Sequence, residues 1–178
     1  CTGFLLIFCL SYYQFVDLNR YLSLGDVYFA RHKSYDAIAQ NKDGEILIGT
    51  AKGLSIFDGN KFNNYDFTFG LGNGFITDIK VFGNNVWIGC GTTAKTGGPQ
   101  TIGGGLSIFN GKTFKSFDLN SFKINNMDIS TVNVIEKDKK VDIWIGTNSG
   151  LLRYDGSKFY HISHLNGLPG SNISDILI

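Results

Sequence analysis

The chain has 178 residues, of which 43% are hydrophobic, 14% aromatic and only 17% charged, with 23 Gly and 2 Pro. That glycine content is well above the usual ~7%, and with low charge and many aromatics it fits neither a helical bundle nor a disordered chain, so turn-rich β structure is expected. Sixteen Lys and Arg against fifteen Asp and Glu leave a net charge of +1, which gives no electrostatic case for nucleic acid or an anionic membrane surface as the main partner.

The N-terminal stretch 1–16 carries no charged residue, and its densest apolar part runs from Phe4 to Leu10. It is shorter than the ~20 apolar residues of a membrane span but matches the length of a secretory apolar region. Two readings stand: a truncated signal or anchor, which is the one adopted, or a buried strand or short helix. Residues 17–34 are read as a linker or an N-terminal strand. Cys1, Cys9 and Cys90 are an odd, widely spaced set that offers neither a disulfide framework nor zinc-ligand spacing.

From residue 35 onward one unit repeats. Gly53-Leu54-Ser55-Ile56-Phe57-Asp58-Gly59 recurs as Gly105-Leu106-Ser107-Ile108-Phe109-Asn110-Gly111, and more loosely as Gly150-Leu151-Leu152-Arg153-Tyr154-Asp155-Gly156. Ahead of each copy stands an apolar tripeptide closed by Gly: Ile46 to Gly49, Val86 to Gly89 and Ile143 to Gly146. Behind each follows a short aromatic strand, and a fourth element, Tyr35 to Gln40, Ile76 to Phe82 or Ser130 to Ile135, opens the unit. Each unit thus holds four short strands, and self-similarity at this period marks a repeat architecture.

The Asp58-Gly59, Asn110-Gly111 and Asp155-Gly156 pairs predict type I′ hairpins between third and fourth strands, and Asp43-Gly44 predicts another between first and second. The second strand is a continuous apolar run, which means burial on both faces. The glycines that end it, Gly49, Gly89 and Gly146, make room where a neighbouring sheet comes close. Four-stranded sheets stacked face to face about an axis form a β-propeller. The expected fold is therefore all-β: a propeller fragment of three four-stranded antiparallel blades, about 35–69, 76–118 and 130–163, with the first strand of a fourth from 173. Because closed propellers have about four to eight blades, such a fragment is expected to be an open arc that aggregates or associates.

These motifs, Asp-Gly, Trp-Ile-Gly-Thr, Gly-Leu-x-x-Tyr/Phe-Asp-Gly and Gly-Leu-Pro-x-x-Asn-Ile, resemble the two-component regulator propeller repeat over residues 35 to 178. The resemblance implies a sensor domain on the outer side of a bacterial inner membrane, often ahead of a membrane helix and a histidine kinase. Cys90 stands where the pattern has Thr, Leu47 where it has Trp, and the link 118–129 lacks Gly-Leu-Pro.

Alternating strand direction places the loop between second and third strands on the same face as the connection to the next blade. That face receives Gly70 to Thr77, which aligns with Gly167 to Ser174, the link from Asn120 to Asp128, and the insertion Gly91 to Gly104. Insertions on a rigid scaffold are where binding function concentrates. Asn73, Lys95, Gln100, Asn126 and Met127 are the candidate contact residues, for a small molecule, a glycan or a protein; a passive Gly/Thr loop is the competing reading.

Catalytic patterns are weak. Gly111-Lys112-Thr113 lacks the phosphate-loop spacing and a following helix. His161 and His164 sit three apart with no completing ligand, and His32 is isolated. Asn41 to Glu45 lacks the later carboxylates of a calcium loop. Trp87 and Trp144 read as packing residues. No catalytic residue, metal site or cofactor is expected. The functional expectation is a non-catalytic sensor or interaction propeller exported to the periplasm or cell envelope. The alternative is part of a propeller lyase or hydrolase whose catalytic residues lie in other blades.

Overall fold

The computed structural model describes residues 37–91, 105–122, 129 and 131–178. They form three four-stranded antiparallel sheets in which each strand pairs with its neighbours in chain order. The first sheet comprises β1 (Ile38–Gln40), β2 (Ile46–Thr50), β3 (Gly53–Phe57) and β4 (Phe62–Tyr65). The second comprises β5 (Phe75–Phe82), β6 (Asn85–Gly91), β7 (Gly105–Phe109) and β8 (Phe114–Asp118). The third comprises β9 (Val132–Lys137), β10 (Ile143–Thr147), β11 (Gly150–Tyr154) and β12 (Phe159–Ile162). The stretch 173–178 joins no ladder among the described residues, but it follows the third sheet where the first strand of a fourth blade is expected, with the Ile173 amide donating to the Thr147 carbonyl at 2.9 Å. Among the described residues no helix is long and apolar enough to cross a membrane.

The middle sheet is the one buried on both faces. Along β6, Val86, Ile88 and Cys90 join a core with Leu47, Leu54 and Ile56 of the first sheet. Trp87, between them in sequence, joins a second core with Ile143, Ile145 and Leu152 of the third sheet. Period-two alternation thus divides one strand between two cores. Rings close the outer part of each interface in the same way. Tyr65 lies 5.5 Å from both Phe109 and Phe114, and at the equivalent place Phe117 lies 6.2 Å from Tyr154 and 5.3 Å from Phe159.

The glycine that follows the apolar tripeptide within each second strand does what the sequence predicts. A Cβ on Gly49 would lie 2.5 Å from Ile76 Cγ2, on Gly89 2.7 Å from Val132 Cγ1, and on Gly146 2.8 Å from Ile173 Cγ2. Ile76 and Val132 stand at the start of the innermost strands of the following sheets, and Ile173 holds the same place after the third.

The innermost strands also carry a shared irregularity. The β5 ladder pairs Ile76 with Cys90 and Asp78 with Gly89, leaving Thr77 as an extra residue; β9 does the same at Asn133, between Val132 and Val134. A bulge re-aims its side chain. Here Thr77 Oγ1 donates to the Val132 carbonyl of the next sheet at 2.5 Å, and Asn133 Nδ2 donates to the Ile173 carbonyl at 2.8 Å.

The hairpin turns differ from the predicted type I′. Gly59, Gly111 and Gly156 have positive φ, but the only described non-glycine residue with positive φ is Val141, so Asp58, Asn110 and Asp155 are not left-handed. The loops instead hold four residues, with Phe57 paired to Phe62 across 58–61. Asp58 Oδ1 accepts the amides of Asn60 and Lys61 at 2.9 and 3.0 Å, and Asn110 and Asp155 repeat the arrangement. Asp43-Gly44 is likewise part of a five-residue loop organised by Asn41, whose Oδ1 accepts from the Asp43 and Glu45 amides.

Candidate functional site

The connections between sheets and the loops between second and third strands share one face. Gly74, in the link to β5, would place a Cβ 3.4 Å from the Lys52 backbone of the β2–β3 loop. Gly91 bridges Thr131, at the end of the link to β9. Gly150 N–H donates to the Ser171 carbonyl at 2.6 Å, and Ile173 N–H to that of Thr147 at 2.9 Å.

Two of the three links are built alike. The Asp66 side chain caps a 3-10 turn at Phe67–Phe69, which ends on Gly70 at φ 99°. Ser163 caps His164–Asn166, which ends on Gly167, also at φ 99°. The register read between Gly70 to Thr77 and Gly167 to Ser174 is therefore structural, and the left-handed conformation explains the glycine at each start. Beyond Gly70 the first link is pinned to the middle sheet by a relay. The Gly72 amide donates to Ser107 Oγ at 2.9 Å, the two hydroxyls of Ser107 and Ser116 meet at 2.8 Å, and Ser116 Oγ donates to the Gly70 carbonyl at 2.5 Å.

The short loops are closed by threonine. Thr50 Oγ1 donates to the Gly53 carbonyl at 2.9 Å and accepts the Lys52 amide at 3.1 Å; Thr147 does the same with Gly150 and Ser149. Only two residues separate β2 from β3 and β10 from β11. In the middle sheet the corresponding residue is Cys90, and residues 92–104 lie between β6 and β7. Cys90 thus lacks the hydroxyl of the two-residue turn where that turn does not occur. Its thiol is fully buried, and burial pushes its pKa up to about 12 despite hydrogen bonding with the Asn73 main chain and Ser107, so it is held as an inert thiol.

Of the sequence candidates, Asn73 lies on this face, half-buried, and its Oδ1 accepts the Phe75 amide at 3.2 Å. Lys95, Gln100, Asn126 and Met127 lie outside the described residues. His161 is buried, with Nε2 2.8 Å from the Ser149 carbonyl, whereas His164 is exposed in the following turn. Among the described residues no group of three or more His, Cys, Asp or Glu is placed to hold a metal ion.

Sequence reasoning missed the charged residues of the inner strands. Asp78 accepts the Ile79 amide at 2.9 Å and, across the sheet boundary, the Ile135 amide at 2.8 Å. Its burial raises the carboxyl above its ordinary range, against the pull of the Ile135 amide and Lys80. Lys80 Nζ meets Glu136 Oε1 at 2.5 Å. Burial works against the Lys80 charge, but the Glu136 hydrogen bond and the charges of Asp78, Glu136 and Asp175 more than offset it and raise its pKa. The signal was present: the register between the two links extends one residue further, to Asp78 and Asp175.

No family model and no curated protein matches the chain. Among solved structures it is similar to the extracellular domain of BT3049 of B. thetaiotaomicron, described as a hybrid two-component system, with a TM-score of 0.60 and 23% identity over 77% of this chain. The chain spans 18% of that domain's length. The extracellular domain of BT4673 from the same organism matches at 24% identity over 75% of this chain and 22% of its own, with a TM-score of 0.34. The fold rests on the first of these together with the repeating sheet geometry: the chain is a run of three β-propeller blades.

Proposed function

We propose that the chain is part of an extracytoplasmic sensor propeller of a bacterial cell-envelope signalling protein, and that it binds a ligand or partner on the connection face without chemistry of its own. The observation that supports this reading is the contrast among the three loops on that face. Two are two-residue turns locked by Thr50 and Thr147, and the third gives up the threonine and carries residues 92–104. A rigid scaffold with one enlarged loop is the usual form of a binding surface. In this reading Asn73, Lys95, Gln100, Asn126 and Met127 supply contacts, and the remaining partners are further blades of the same propeller. The description of the B. thetaiotaomicron neighbour as an extracellular domain supports a location outside the inner membrane in this reading.

The test is to replace residues 91–104 by the Ala51-Lys52 pair together with Cys90→Thr, in the full parent protein. The expected result is an exported, folded sensor whose signalling response is lost. An unchanged response in cells would overturn the reading.

A further inference from the structure

Each innermost strand opens with the same three positions: a residue packed on the preceding blade's glycine, a bulged residue, and the residue that follows the bulge. Ile76, Thr77 and Asp78 hold them in the second blade and Val132, Asn133 and Val134 in the third. Ile173 packs on Gly146 in the same way, which puts Ser174 and Asp175 at the second and third positions of the next strand. In the first blade the pairing of Ile38 with Ile48 places Ala37 at the third position. Around the hub that position therefore reads Ala, Asp, Val, Asp, with a carboxylate at every second blade.

The amide of the residue that comes next explains the alternation. On an edge strand alternate N–H groups face away from the ladder and need an acceptor from elsewhere. Ile79 N–H donates to Asp78 Oδ1 at 2.9 Å. Val134 offers no such oxygen, and the Ile135 amide takes Asp78 Oδ2 from the preceding blade at 2.8 Å. One aspartate thus serves two blades. Asp175 repeats the first half of this arrangement, its Oδ1 accepting the Ile176 amide at 2.9 Å. The Asp78, Glu136 and Asp175 charges all act on Lys80, so both aspartates stand at the hub. The second Asp175 oxygen and the Ser174 hydroxyl make no hydrogen bond among the described residues. At the bulge position Thr77 and Asn133 each donate to a carbonyl of the following strand, that of Val132 and that of Ile173.

We propose that Ser174 and Asp175 form a clasp for the innermost strand of one more blade. The Ser174 hydroxyl donates to a main-chain carbonyl of that strand, and Asp175 Oδ2 accepts the amide three residues further on, the spacing from Val132 to Ile135. A carboxylate that takes one main-chain amide on each oxygen makes two charge-assisted bonds. Continuity with the interface of the second and third blades identifies the occupant: an inner strand with an apolar residue at its own third position, as Val134 is in β9. The proposal rests on the reading of the chain as part of a longer propeller and adds to it the residues that hold the next blade and the pattern that blade must carry.

The experiment is hydrogen exchange read by mass spectrometry on the full parent protein and its Asp78→Ala, Ser174→Ala and Asp175→Ala variants, with rates corrected for global stability. Asp78→Ala supplies the reference, freeing the Ile79 and Ile135 amides together. Asp175→Ala is expected to accelerate exchange about tenfold or more both at Ile176 and in one inner-strand peptide beyond residue 178. Should that variant not fold, Ser174→Ala, which removes only a hydroxyl, is expected to accelerate exchange in the same distant peptide. Acceleration confined to Ile176 would show that Asp175 serves its own strand alone and would overturn the proposal. Acceleration in β1, present only at concentrations where the protein associates, would give the place to a second copy and overturn it equally. In both cases slow exchange of 173–178 in the parent would leave the longer propeller standing, whereas fast exchange throughout 173–178 would overturn that reading as well.

Discussion

Gly89 of the middle blade lies directly beneath Val132 of the third: a Cβ added there would sit 2.7 Å from Val132 Cγ1 and 3.1 Å from its Cβ. The backbone there is extended, so the glycine is required by space and not by φ. Gly89→Ala is expected to lower stability by about 1–3 kcal/mol, the usual cost of overpacking. Gly170→Ala, which meets nothing within 4 Å, is the control and should stay within about 0.5 kcal/mol of the parent. Chemical denaturation compares the two.

Val141 has φ 74° in the five-residue loop where the first blade has Gly44 at φ 83°. A β-branched side chain in that region is strained, at a cost of order 1–3 kcal/mol, and Val141 is 64% exposed, so little packing offsets it. Val141→Asn should stabilise by about 1 kcal/mol. Val141→Gly should gain less, because glycine adds freedom to the unfolded chain. Equal gains from both in thermal melts would contradict the argument.

Asp58 and Asp155 have their carboxyls held below the ordinary range, first by the amides of Lys61 and Lys158 respectively. For Asp138 the Trp144 indole is the leading cause. A carboxylate with a depressed folded pKa contributes stability above its unfolded pKa and loses it as pH falls through the folded value. The chain should therefore lose stability on acidification below about pH 4. Asp155→Asn, which copies the residue found at Asn110, keeps both loop amides satisfied and should flatten that acid limb. Urea titrations at a series of pH values measure the slope, and an unchanged slope would refute the assignment.

Asp78→Ala removes the acceptor of the Ile135 amide inside a sheet boundary. Leaving a buried N–H unpaired costs about 1–3 kcal/mol. Hydrogen exchange at Ile135 should accelerate beyond what the global loss of stability explains. Thr77→Val is expected to cost about 1 kcal/mol and to leave the Ile135 amide protected relative to global unfolding.

The blade was legible because its signals are local and repeated. Gly-Leu-Ser-Ile-Phe occurs twice, and the apolar run before each Gly announces burial on both faces. The turn type was not legible from the dipeptide, because Asp58 and Asn110 use their side-chain oxygens to bind amides two and three residues on. That choice depends on the spacing to Phe62 and Phe114, not on the Asp-Gly or Asn-Gly pair. The inter-blade contacts of Thr77 and Asn133 escaped for a related reason, since a bulge shifts the alternation on which face assignment rests.

The blades are fastened unevenly. Along the inner strands the contact runs from Thr77 and Asp78 into the main chain at Val132 and Ile135, so displacement of one inner strand acts on the backbone of the next. At the outer strands neighbouring blades meet through rings such as Phe117 and Phe159, a contact without directional hydrogen bonds between those side chains. A displacement at the hub is therefore expected to pass from blade to blade more directly than one at the rim.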